Sequence, residues 1–125
     1  RAMRLAMEEA RSAGSACGAV VEYSGRMVGR GHDTGATHAA AHAMRQAAAA
    51  MGRSDLCGAI LYTTREPCPA CAALALRSNL TIIVYGAAAP GRPTAEHAAG
   101  AAWALEVIGG VLADECCALD PRQGS

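Results

Sequence analysis

The chain has 125 residues, 52% of them apolar but only 3% aromatic and none phenylalanine, so a core has to be assembled from Ala, Val, Leu, Ile and Met. That length suits a single domain, residues 1–125, with one core and one site. Eleven basic residues balance eleven acidic ones, which leaves no global field to attract a polyanion. No apolar run approaches the roughly 20 residues of a membrane span and no leader pattern opens the chain, so a cytoplasmic location is expected.

In chain order, residues 1–13 set Met3, Ala6, Met7 and Ala10 on one stripe with charge opposite, an amphipathic helix ended by Gly14. Residues 17–23 read as a strand, Ser24-Gly25 as a hairpin turn and residues 26–31 as the returning strand. After the loop GHDTGAT, the run His38 to Met51 is strongly helix-forming, with Thr37 as its expected N-cap and Gly52 as its stop. Residues 59–64 form a buried strand, and REPCPAC opens a second alanine-rich helix ending near Ser78. Residues 81–86 are another apolar strand. The segment from Ala87 to Ala102 reads as loop then short helix, residues 105–108 as a last strand and Gly110 to Leu119 as a terminal helix. Strands alternating with helices predict an α/β fold: a central sheet of about five strands with helices on both faces, in three layers.

Six cysteines raise the question of a disulfide framework, and their placement answers against it. Cys68 and Cys71 are a close pair flanked by prolines, Cys116 and Cys117 are adjacent, and Cys17 and Cys57 lie in small-residue segments. Reduced thiols and a metal-binding pair are the favoured reading. Two thiolates three residues apart at a helix start can reach one cation, and an imidazole from His38, at the start of the preceding helix, makes a third ligand. Three protein ligands leave one tetrahedral position for water, the arrangement of a catalytic zinc (Zn2+) rather than a closed structural one. Helix N-termini favour ionised thiolates there.

His38 followed by Pro67-Cys68-Pro69-Ala70-Cys71 resembles the H-x-E and P-C-x-x-C signature of the zinc-dependent cytidine and deoxycytidylate deaminase-like family, whose members act on aminated bases. CGAVVEYSGRMVGRG, THAAAHAMRQAA, LYTTREPCPAC, IIVYGA and GVLADEC are similar to that family in the same order, over about three quarters of the chain. The resemblance implies a cytidine-deaminase-like fold, Zn2+ held by His38, Cys68 and Cys71, and hydrolytic deamination of a nucleobase, nucleoside or related heterocycle. It also implies that the backbone N–H groups of Ala39 and Cys68 face the substrate, and that the chain forms a homodimer or higher homo-oligomer.

One position departs from the pattern. The family places a glutamate two residues after the histidine, where it moves protons between water, ring and departing ammonia; this chain has Ala40. Losing such a group costs about 10²- to 10⁴-fold in rate, roughly 3 to 5 kcal/mol of barrier, so turnover is expected to be nearly abolished. A deliberate substitution made to trap substrate is the favoured origin of Ala40, and a natural inactive relative the alternative.

Other residues divide between two readings. Asp33, where relatives often have asparagine, is either a substrate-facing group or a turn residue. His42 has metal-compatible spacing from His38 but is more simply packed on the sheet, and Glu66 more simply orients the cysteine turn than replaces the base. His32 and His97 are expected in loops or at the surface, Trp103 in a core or interface, and Cys116 and Cys117 in a buried helix. A small-molecule nucleobase or nucleoside is the expected partner, with nucleic acid, as in a tRNA adenosine deaminase, set second because charge is balanced and aromatics are few. A non-catalytic zinc-stabilised binding module is the reading from another class.

Overall fold

The structure is a computed structural model and describes residues 2–14, 17–33, 38–53, 55–65, 69–87 and 106–112. Among the described residues, three helices and five strands follow one another as α1 (Ala2–Ala13), β1 (Gly18–Tyr23), β2 (Arg26–His32), α2 (Ala39–Met51), β3 (Ile60–Arg65), α3 (Pro69–Arg77), β4 (Ile82–Ala87) and β5 (Glu106–Ile108). They form a mixed sheet in the order β2-β1-β3-β4-β5. The β1–β2 and β1–β3 pairs are antiparallel, and β3–β4 and β4–β5 are parallel. The α/β reading with helices on both faces therefore holds.

Strand alternation produces the layers. Ala19 and Val21 of β1, Leu61 of β3 and Ile83 of β4 enter a core with α2 and α3, whereas Val20, Ile60, Tyr62, Ile82 and Val84 face α1. Beneath α1 the expected stripe is buried, with Met3 and Met7 filling the space that aromatics occupy in other cores. Each such side chain contributes about 1.5–3 kcal/mol of apolar burial.

Helix α2 buries Ala39, Ala40, Ala43, Met44 and Ala47, nearly all methyl-sized. So small a stripe excludes water only if the helix lies close to the sheet, and glycine in β2 permits that approach. A Cβ at Gly29 would fall on the carbonyl oxygen of Ala43 and within 2.8 Å of the Ala47 nitrogen, and one at Gly31 within 2.7 Å of the Ala43 nitrogen. The helix ends at Gly52, whose φ of 69° and N–H bonds to Ala48 and Ala49 make the expected left-handed stop.

At the hairpin, Ser24 (φ 51°) and Gly25 (φ 80°) both turn left-handed, as a two-residue connection between right-twisted strands requires. One expectation fails: no helix begins at Gly110. Residues 109–112 are loop and turn, with Gly110 at φ 83° and Leu112 at φ 54°, values that right-handed helix excludes. The remainder of that segment, and the proposed loop and helix after Ala87, lie outside the described residues. Among the described residues no helix is long and apolar enough to cross a membrane.

Gly29→Ala should lower the unfolding free energy by about 1–3 kcal/mol, because helix and sheet backbones would have to separate. Urea titration of the variant against the parent measures this, and equal midpoints would contradict the close approach.

Candidate metal centre

The α2 and α3 starts are the sequence-predicted ligand positions. His38 is the N-cap residue of α2, extended at φ −72° and ψ 149°, and its side chain makes no capping hydrogen bond. The expected cap, Thr37, lies outside the described residues, and the helix starts one position later than it would require. The capping oxygen comes instead from Asp33: its Oδ1 accepts the Ala39 N–H at 2.8 Å. The Asp33 N–H in turn donates to the Cys17 carbonyl at 3.2 Å, one step beyond the Gly18–His32 pair, so the sheet ladder continues into the strap that holds α2. A carboxylate on a helix N-terminal N–H contributes about 0.5–2 kcal/mol.

Cys71 is buried (5% exposed) in the first turn of α3, where Pro69 suits the first helical position because its missing N–H would have had no partner there. Ala40, 4% exposed, belongs to the same core cluster as Cys71. Its methyl group is chemically inert. Helices α2 and α3 touch, so the His38 and Cys71 helix starts belong to one side of the sheet. Cys68, Glu66, His97, Trp103, Cys116 and Cys117 lie outside the described residues.

Imidazole and thiolate are the donors zinc favours, and a helix N-terminus stabilises the thiolate form, so His38 and Cys71 fit such an ion. With Cys68 outside the described residues, no group of three His, Cys, Asp or Glu side chains among the described residues is arranged to hold a metal.

Around this centre are contacts that the sequence pattern did not reveal. Thr63 and Thr64 are both buried at the end of β3. The Thr64 hydroxyl oxygen accepts the Gly18 N–H at 3.1 Å, and the Thr63 hydroxyl donates to the Arg65 carbonyl at 3.0 Å while sitting 3.7 Å from the Cys17 sulfur. Burial, and secondarily the charge of Asp33, push the Cys17 thiol above its ordinary value of 9.0, with the two threonine hydroxyls partly opposing. His42 packs edge-on against His32, ring centroids 5.8 Å apart, and its Nδ1 is buried without a hydrogen-bond partner among the described residues. His32, the last residue of β2, reaches Glu9 of α1 at 3.4 Å. A short-range signal for the Asp33 cap exists in the sequence, a carboxylate just before a helix, but its separation of six residues from Ala39 is longer than a local capping pattern.

The described geometry is an α/β layer with a histidine and a cysteine at the starts of two touching helices, and the class of the domain comes from its relatives. Residues 1–87 match the sequence model of the cytidine and deoxycytidylate deaminase zinc-binding region, and the chain belongs to that zinc-binding family. It is 32% identical over 136 residues to a tRNA-specific adenosine deaminase of Bacillus subtilis, covering 91% of this chain and 81% of the relative. It is 38% identical over 133 residues to a tRNA(Ile)-lysidine synthase of Deinococcus radiodurans, covering 94% of this chain but only 22% of that protein. The chain thus spans about a fifth of the lysidine synthases it matches. Among solved structures, a tRNA deaminase studied for A-to-I editing at the wobble position superposes with a TM-score of 0.81 and 32% identity, over 95% of this chain and 98% of the other. The expectation against nucleic acid finds no support in these relatives.

Because the Cys17 thiol is raised in the folded state, the unfolded chain loses that proton first as pH rises. Its contribution is therefore fully present below pH 9.0 and lost as pH climbs through the raised folded value. Denaturation midpoints measured from pH 7 to pH 10 should fall above pH 9, and Cys17→Ala should flatten part of that fall.

Proposed function

We propose that this chain is a zinc-holding deaminase domain that binds an adenine ring presented by tRNA and has nearly lost turnover through Ala40. Its support is the kinship with tRNA deaminases over nearly the whole chain, together with an alanine at the second residue of α2. In this reading His38, Cys68 and Cys71 hold the ion, which when bound supplies a Lewis acid that lowers the pKa of water. A helix N-terminus stabilises negative charge, and His38 and Cys71 both belong to helix starts, of α2 and α3.

What the chain itself no longer supplies is the proton. Ala40 has neither donor nor acceptor, and its neighbours Ala39 and Ala41 add none. Protonation of the ring and of the departing ammonia then depends on solvent. A substrate held without being turned over is the consequence, and association as a homodimer or higher homo-oligomer belongs to the same reading, since so small an alanine-rich core gains from further burial.

A second reading, a free nucleobase or nucleoside as ligand, is favoured by the equal counts of basic and acidic residues, which offer a polyanion little long-range attraction.

Ala40→Glu should raise ammonia release by at least about 10²-fold over the parent on its proper substrate. Assay of tRNA, adenosine, cytidine and free bases with stoichiometrically zinc-loaded protein distinguishes the readings: release from tRNA alone supports the first, and release from the small molecules supports the second. Silence across the panel in a zinc-loaded variant would mean that the domain serves as a binding module.

A further inference from the structure

The α2 start has an unusual construction. Its N-cap residue, His38, contributes no side-chain cap, and the capping oxygen comes from Asp33, directly after the end of β2. Asp33 is anchored at two points on different layers: its backbone N–H is tied to Cys17, in line with β1, and its carboxylate to the first N–H of α2. Just before it, Gly31 brings β2 against the same first turn, where an added Cβ would meet the Ala39 carbonyl at 2.5 Å and the Ala43 nitrogen at 2.7 Å. The sheet therefore grips the first turn of α2 from below through Gly31 and at its end through Asp33.

The backbone of an N-cap histidine is set by where its helix begins. Its Cα position and the direction of its Cα–Cβ bond follow from where Ala39 begins the helix, and the 2.8 Å bond from Asp33 fixes that point. We infer that Asp33 is a positioning residue for metal binding: it sets His38 at the distance from Cys71 that one cation requires, and it acts through the Ala39 N–H rather than by touching the ion. The inference rests on the reading of His38 as a metal donor. It assigns Asp33 neither of its sequence-derived alternatives, a substrate contact or a plain turn residue.

The geometry, not the charge alone, carries the effect, so the amide side chain of asparagine should serve nearly as well as carboxylate. Alanine should not. A glutamate keeps the charge but moves the acceptor by one methylene, and it takes the place of the alanine variant if that one fails to fold.

The test measures zinc dissociation constants of the full chain by competition with a chromogenic chelator, alongside the visible spectrum of the cobalt-substituted protein and the melting temperature without metal. Asp33→Ala, and Asp33→Glu in its place, should weaken zinc binding by about 10- to 100-fold and shift the cobalt bands. Asp33→Asn should return both to near the parental state. His38→Ala is the reference. Loss of affinity in His38→Ala with parental affinity and spectrum in Asp33→Ala overturns the positioning role alone, as does an Asp33→Asn variant no better than Asp33→Ala. Parental zinc affinity in His38→Ala overturns the donor reading beneath it.

Discussion

The close seating of α2 on β2 governs the rest of this domain. Because Gly29 and Gly31 present no side chains, the backbone of α2 comes to within contact of the strand, and its stripe of methyl groups becomes sufficient to exclude water. A bulkier strand would require larger residues in the helix, and the composition holds no phenylalanine and little other aromatic volume to provide them. The same seating carries functional weight, since His38 and Ala40 belong to the first turn of that helix. Packing and site geometry are one constraint here: the helix that closes the core also decides where the imidazole stands.

On the far side of the sheet α1 behaves differently. Its methionines fill space by flexibility rather than by fit, and Glu9 adds a polar contact to His32 at the end of β2. His32 in turn packs against His42, so a chain of contacts runs from the outer helix α1 past the strand end to the second turn of α2. These elements surround the candidate centre without belonging to its chemistry.

Kinship and local chemistry pull on different features of the molecule. The family is carried by the ligand motif, the order of elements and the superposition with a tRNA deaminase. Ala40 is a single buried methyl group at the second residue of α2, a position that alanine suits at least as well as glutamate does.

Much was legible in the sequence, for reasons of periodicity and spacing. Alternation located β1, β3 and β4 to within a residue or so, the alanine-rich run located α2, and Gly52 its end, because these are local choices of backbone and burial. The C-x-x-C spacing and His38 led to the expectation of zinc, and the match to a zinc-binding family model agrees with the ion, because ligand chemistry is written in residue type. What tertiary structure decided was which distant groups meet. That Asp33 would reach the Ala39 N–H, that Cys17 would lie beside Thr63, and that Gly110 and Leu112 would turn left-handed where a helix was expected all depend on contacts between residues distant in the chain or on turns set by the packed layers. Those outcomes follow from the closing of layers over one another, a cooperative event that no short window of residues encodes.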